Sequence, residues 1–314
     1  MSELPDMSVD IGGLVLKNPV ITASGTFGYG NELEPLLNPS SLGAIIVKGL
    51  SLRPIPGNPP PRIIETPCGL LNSIGLANIG VNAFIKEKLP ALQKISAPII
   101  TNIYGHTVRE YAEIARIIED TEKIAALEVN ISCPNVEKGG MSFGTDAYTA
   151  ATVTERVKNN TTKPVIVKLT PNVTDISIIA MAVESAGAQA VSITNTLLGM
   201  AVDVSTRRPK LSNIVGGLSG PAIKPIALYL VNKVADAVRI PVIGLGGIMD
   251  YKDALEFLIV GASAIQVGTG TFVNPRAAVE VAHGLYDYCL REKIYNINQI
   301  TGSLKKCGEN NEKS

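Results

Sequence analysis

The sequence of 314 residues predicts an α/β fold, a (β/α)8 TIM barrel with long loops at its C-terminal mouth. Three observations carry that reading: eight short apolar runs, helical stretches between most of them, and no dinucleotide fingerprint after the first run. The runs are continuously apolar instead of alternating, as expected of parallel strands buried on both faces.

In chain order the strands read "PVITASG" (Pro19–Gly25), "AIIVKG" (Ala44–Gly49), "PIITNIYG" (Pro98–Gly105) and "ALEVNISCP" (Ala126–Pro134). They continue as "PVIVKLTP" (Pro164–Pro171), "AVSITNT" (Ala190–Thr196), "PVIGLGGI" (Pro241–Ile248) and "AIQVGTG" (Ala264–Gly270). Amphipathic helical stretches lie between, such as "VREYAEIARIIEDT" after the third strand, "DISIIAMAVESAG" after the fifth and "KPIALYLVNKVADAV" before the seventh. Gly-Ala turns, "SAGAQA" and "IVGASA", lead into the next strand and complete βαβ units. Eight such units in succession close into a barrel. A doubly wound sheet is the competing arrangement, but no G-x-G-x-x-G follows the first strand and no Asp or Glu is placed to hold a ribose. Barrels of this length commonly form one domain, so residues 1–300 are expected to be a single barrel and 301–314 a polar, frayed tail.

Two connections are longer than a barrel needs: residues 50–82, rich in Pro and Gly after the second strand, and residues 197–218 after the sixth. Long loops in compact domains tend to be functional. Both would emerge at the C-terminal mouth, where barrel enzymes carry their sites.

Composition narrows the function. Lys+Arg and Asp+Glu number 28 each, so no global field recruits nucleic acid or an anionic membrane surface. The cysteines, Cys68, Cys133, Cys289 and Cys307, show no metal-ligand spacing, which argues against zinc or an iron–sulfur cluster here. Scattered thiols suit a reducing cytoplasm. The N-terminus lacks the pattern of a signal peptide, and no apolar run approaches the roughly 18 residues that span a bilayer. The N-x-[ST] matches at Asn130, Asn160 and Asn172 are therefore read as chance.

Polar residues gather at the strand ends: Ser24, Lys48, Asn102, Asn130 with Cys133, Lys168, Asn195 with Thr196, Gly246–Gly247 and Gly268–Thr269. Barrels often hold a phosphate between the loops after strands seven and eight, where backbone N–H groups point outward and no Cβ blocks approach, so "GLGGI" and "VGTG" suggest a phosphorylated ligand. The alternative is that these glycines only make tight turns. Lys48 and Lys168 each follow three β-branched residues, and a buried ammonium is costly unless it meets negative charge. No carboxylate partner is obvious at these strand ends, which favours contact with an anionic ligand over a salt bridge within the barrel. Asn72, Asn102, Asn130, Asn135 and Asn195 fit a clamp for a flat, polar molecule bearing amide groups.

Cys289 in "YDYCL" reads as a small buried hydrophobe, Cys68 as a loop packing residue, and Cys307, in the tail, as a residue without a role. Cys133 leaves a strand at the mouth beside a proline. A thiol with pKa near ~8.5 can accept a proton when positioned, so Cys133 is either a nucleophile or a general base. A nucleophile would want an adjacent histidine. His106 reads as loop and His283 as surface helix, so the base reading leads.

"LLNSIGLAN" (Leu70–Asn78), "ALEVNISCPNVEKGG" (Ala126–Gly140), "VKLTP", "ITNTLLGM" and "GGLSGPAIKP" closely resemble the class 1 dihydroorotate dehydrogenases, in collinear order over about residues 8–290. The resemblance implies an FMN-containing barrel that oxidises (S)-dihydroorotate to orotate in pyrimidine biosynthesis. Carried over, Cys133 would take the C5 proton while hydride leaves C6 for the flavin. Lys48, Asn72, Ser73, Ile74, Gly75, Leu76, Asn130, Asn135, Asn195 and Thr196 would hold the substrate. Lys168 would lie near the flavin N1–O2 edge, and Ser24, Lys48, Gly49, Asn102, Asn130, Thr194 and Gly220 would complete the flavin site. Gly246, Gly247, Gly268 and Thr269 would grip the phosphate.

A cysteine base implies class 1, and "ETPCGLLNSIGLAN" and "NVEKGGMSFGTD" resemble the class 1B, NAD-linked type. That type implies a partner subunit carrying FAD and a [2Fe–2S] cluster, in a heterotetramer built on a dimer of this chain. A class 1A, fumarate-using homodimer is the alternative within the family. Outside it stands a non-redox barrel acting on a phosphorylated sugar, in which strand-end lysines would be Schiff-base candidates, or a barrel kept only as a binding scaffold.

Overall fold

Eight parallel strands form the sheet on which the chain is built, and their order around it follows the sequence. The computed structural model describes residues 4–132 and 142–305. The barrel strands are β1 (Val20–Thr22), β2 (Ile45–Leu50), β3 (Ile99–Ile103), β4 (Ile124–Asn130), β5 (Val165–Lys168), β6 (Ala190–Ile193), β7 (Val242–Leu245) and β8 (Ala264–Val267). Each pairs in parallel with its sequence neighbours from β2 to β8, and β8 returns to β1. The seam between β1 and β2 closes by a single bridge, Ile21 to Ala44. Because β1 is so short, the Thr22 side chain substitutes for a ladder there, its hydroxyl oxygen accepting from the Ile46 N–H at 2.9 Å. A barrel closed in this way has no exposed edge.

The strands are apolar on both sides because both sides are covered. Strands β1, β3, β5, β6, β7 and β8 are buried at every residue. Helices α1 (Val108–Glu119), α2 (Ala147–Lys158), α3 (Ile176–Ser185), α4 (Lys224–Ala235), α5 (Tyr251–Ile259) and α6 (Ala277–Glu292) pack outside. Their starts follow local side-chain chemistry. Thr107, Asp146 and Asp175 each accept a backbone N–H in the first turn of α1, α2 and α3, and Asp250 with Asp253 makes a full capping box for α5.

The helical ring is incomplete where the sequence is rich in turn formers. Between β1 and β2 the chain makes turns and one 3-10 turn at Pro39–Ser41. Ahead of β3, residues 81–94 run through α, π and 3-10 geometry in succession, with Pro90 early in the last piece. A hairpin of Val9–Asp10 with Val15–Leu16, unforeseen in the sequence, lies against the entry to β6, where Gly12 touches the Gln189 backbone. A Cβ at Gly12 would come 2.1 Å from the Gln189 carbonyl oxygen.

The two long connections do not stay loops. Ile63–Thr66 and Gly69–Asn72 from the first pair with Leu197–Met200 and Val215–Ser219 from the second in a four-stranded antiparallel sheet over the mouth. Cys68 sits in the turn of its outer hairpin and is exposed, so it is not the packing residue expected from the sequence. Cys289 is fully buried in α6, and burial pushes its thiol up. The start of the polar C-terminal segment is docked: the N–H groups of Gly302 and Leu304 donate to the carbonyls of Leu258 and Ile259. No helix among the described residues is long and apolar enough to cross a membrane.

Candidate active site

One cavity of about 720 Å3 lies between the C-terminal strand ends and the antiparallel sheet above them. Its size and mixed lining suit a cofactor or substrate. Ser24, Lys48, Gly49, Asn102, Asn130, Lys168, Thr194, Asn195 and Thr196 reach it from the barrel. Asn72, Ser73, Ile74, Gly75 and Leu76 line it from the long connection after β2, Gly220 from the turn that leads to α4, and Gly246, Gly247, Gly268 and Thr269 from the loops after β7 and β8. Cys133 and Asn135 lie outside the described residues.

The amide cluster is hydrogen-bonded internally. Asn195 Nδ2 donates to Asn130 Oδ1 at 3.1 Å and to Ser132 Oγ at 2.9 Å, and Asn195 Oδ1 accepts from the Thr196 N–H at 2.8 Å. The Tyr111 hydroxyl holds the Asn130 carbonyl at 2.7 Å. Asn172, taken only as a chance glycosylation match, staples the next segment: its Nδ2 donates to the Thr196 carbonyl at 3.0 Å and its Oδ1 accepts from the Leu198 N–H at 3.0 Å.

Residues 72–76 turn through two left-handed conformations, Gly75 at φ 71° and Leu76 at φ 59°. A leucine there is strained, and the neighbours hold it. Tyr104 and Asn78 both donate to the Leu76 carbonyl, and Asn78 Oδ1 accepts from the Ser51 and Gly80 N–H groups. Ser73 Oγ is buried and has no hydrogen-bond partner within the described residues. A buried hydroxyl left in that state is costly.

The two lysines have different surroundings. Lys48 is half-buried, and burial first, then the positive charge of Arg62, lowers its ammonium, with Glu32 opposing. Lys168 has the carboxylate partner that the strand-end reading did not find. Its Nζ lies 3.7 Å from Glu128 Oε2, and Glu128, on β4, is fully buried. The clue was present in "ALEVN", a charge inside an apolar run, but no sequence rule says which strand opposes it.

The glycine loops leave donors free. Gly246 and Gly247 sit at φ 130° and 80°, and a Cβ on Gly247 would come 2.9 Å from the Gly220 carbonyl oxygen. The N–H groups of Gly247 and Thr269 have no backbone acceptor among the described residues. Lys224 stiffens this corner through ion pairs to Asp253 at 2.6 Å and Glu256 at 2.9 Å, while Asp253 accepts from the Met249 N–H at 2.8 Å. The Thr269 hydroxyl donates to Ser219 Oγ at 2.8 Å, tying the corner to the sheet above. Unpaired N–H groups in a glycine nest are what an anionic phosphate needs.

Comparison with known proteins agrees with this architecture. Residues 6–288 match the family model described as dihydroorotate dehydrogenase. The catalytic subunit of dihydroorotate dehydrogenase B (NAD(+)) from Geotalea daltonii is 55% identical over 301 residues, covering 96% of this chain and 99% of that protein. The protein of the same name from Thermoanaerobacter pseudethanolicus is 53% identical over 300 residues, again covering 96% and 99% of the two chains.

Proposed function

The chain belongs to the dihydroorotate dehydrogenase family, and from that premise we propose that it oxidises (S)-dihydroorotate to orotate in pyrimidine biosynthesis with FMN bound in the mouth cavity. One observation supports this most: donor-rich glycine loops, a buried lysine and a cluster of amides open into a single cavity of about 720 Å3. The residues suit FMN. Free N–H groups of Gly247 and Thr269, with Gly246 beside them, answer a phosphate, and Ser24, Gly49, Asn102, Lys168, Thr194, Gly220 and Gly268 would receive the rest of the molecule. When bound there, FMN supplies the hydride acceptor.

The protein residues do the remainder. Lys48 meets the negative charge of the substrate, and the amides of Asn72, Asn130 and Asn195 with the Thr196 hydroxyl orient its ring. The 72–76 segment covers it. Cys133 takes the C5 proton as the C6 hydride departs, with Asn135 beside the substrate; both belong to this reading by sequence alone. Lys168 would lie against the bound flavin, where its ammonium would offset negative charge on the ring.

The relatives are named as catalytic subunits of an NAD(+)-linked enzyme. On that basis this chain passes its electrons to NAD through a partner carrying FAD and a [2Fe–2S] cluster, as a cytoplasmic heterotetramer of two chains of each kind. Residues 1–300 act as one barrel domain, with 301–314 as its tail.

The test is colour and its loss. The purified chain should be yellow, bleach under anaerobic dihydroorotate, and reduce NAD only with its partner present. A colourless chain that riboflavin phosphate cannot reconstitute would overturn the reading. Rapid fumarate-dependent turnover by the isolated chain would remove the NAD-linked assignment.

A further inference from the structure

Glu128 is an ionisable side chain for which the reaction above has no use, yet it stands fully buried behind two residues that line the cavity, Asn102 and Lys168. Four strands besides its own supply the groups around it. Asn102 Nδ2 of β3 and Gln266 Nε2 of β8 each donate to it at 2.6 Å, the Ser192 hydroxyl of β6 donates at 2.8 Å, and Lys168 Nζ of β5 lies at 3.7 Å. Every one of these neighbours presents a donor to the Glu128 oxygens.

The geometry leaves two cavity residues half-committed. Lys168 is only 4% exposed, but none of its contacts is short: 3.4 Å to Gln266 Oε1, 3.5 Å to Ser24 Oγ and 3.7 Å to Glu128. The carboxylate compensates its charge without consuming its donors. Asn102 gives its N–H to Glu128, which turns its Oδ1 toward Gly49, where a Cβ would come within 2.8 Å of that oxygen. Gln266 is oriented the same way, its nitrogen to the carboxylate and its oxygen to the ammonium.

We propose that Glu128 is a positioning residue that sets the polarity of the cavity floor, so that Asn102 shows a ligand its carbonyl oxygen and Lys168 an ammonium whose charge is already balanced. The inference rests on the reading that this floor faces a flavin. Glu128 sets how much uncompensated positive charge the ring meets, and so how readily the ring holds electrons. Removing the carboxylate leaves one unbalanced cation beside the ring and favours the reduced, anionic form.

The experiment compares the midpoint potential of the bound flavin in wild type, Glu128→Gln and Glu128→Asp. The expected result is a shift to more positive potential in Glu128→Gln and little shift in Glu128→Asp, which keeps the charge. An unchanged or more negative potential in Glu128→Gln overturns the proposal. Should Glu128→Gln not accumulate as folded protein, thermal melting of Lys168→Gln and of the double variant Glu128→Gln/Lys168→Gln decides. A buried charge left alone is destabilising, and removing both charges relieves it, so the double variant should melt above Lys168→Gln. A double variant that melts no higher overturns the pairing. The melting comparison needs no flavin, so a wild-type chain that binds none would remove the functional reading and leave the pairing still tested.

Discussion

The Tyr104 hydroxyl donates to the Leu76 carbonyl at 2.5 Å and holds a leucine at φ 59° over the cavity. A residue on β3's exit thereby sets the backbone of a segment that is close to thirty positions earlier in the chain. Tyr104→Phe should release that segment while leaving the glycine loops untouched. The phenol donates to the Leu76 carbonyl and accepts from Asn78 Nδ2; losing these bonds, about 1 kcal/mol each, predicts a rise of roughly five-fold or more in the Kd of orotate, with flavin binding unchanged. Titration of the flavin absorbance with orotate measures it. An unchanged Kd would show that the strained turn holds without the phenol.

Gly247→Ala and Gly268→Ala should differ. At Gly247 a Cβ meets the Gly220 oxygen at 2.9 Å and Lys224 Cβ at 2.8 Å, on a backbone at φ 80°, whereas at Gly268 the nearest atom is Ala23 Cβ at 3.4 Å. A side chain forced into left-handed backbone costs about 1–2 kcal/mol. The expected outcome for Gly247→Ala is a weakening of FMN binding by roughly ten-fold or more, with a smaller effect at Gly268. Reconstitution of stripped protein followed by flavin fluorescence reads both.

Binding of the anionic substrate should weaken at alkaline pH earlier than an ordinary lysine would allow. Burial, then Arg62, lowers the Lys48 ammonium. The attraction is present below the lowered value and lost as pH rises through it. For folding the sign is opposite: because the charged form is the penalised one, stability on this account increases as Lys48 is neutralised. The Kd of orotate measured across the alkaline range should show this limb in wild type, and Lys48→Ala should bind more weakly with the limb gone.

Glu119 clips α1 to the chain ahead of β5, accepting from the Thr161 hydroxyl at 2.5 Å, the Thr162 hydroxyl at 2.6 Å and the Thr162 N–H at 3.0 Å. These bonds, the Thr161 hydroxyl first, hold its carboxyl down at about 2. Its contribution is therefore present above the ordinary glutamate value and lost as pH falls toward the lowered one. Glu119→Gln should cost about 0.5–1 kcal/mol at neutral pH, an effect kept small by the water around the site. The gap between variant and wild type should close in acid, as urea unfolding would show.

Cys133→Ser should keep the flavin and slow its reduction by dihydroorotate, most severely at neutral pH, because a serine hydroxyl ionises far less readily than a thiol of pKa near ~8.5 and so supplies almost none of the proton-accepting form there. Stopped-flow bleaching checks this, and unchanged kinetics would take the proton-accepting role from Cys133.

The barrel strands were legible along the chain because burial on both faces writes the same message at every position. The strand-end residues followed, since parallel strands must release their C-terminal ends at one mouth. Lys48, Asn102, Asn130, Lys168 and the glycine pairs could thus be placed in one cavity from local pattern alone. Contacts between distant segments could not be read this way. Glu128 was visible as an acid in an apolar run, but its pairing with Lys168 depends on the register of β4 on β5, which sets Glu128 beside Ile166, two positions before Lys168. Residues 50–82 and 197–218 read as loops because their strands are short and find hydrogen-bond partners only in each other. The local pattern assigns Asn78 and Asn172 no partner; folding brings the Leu76 and Thr196 carbonyls to them. Periodicity reports what each segment buries, whereas the partner of a polar atom is set by closure of the barrel.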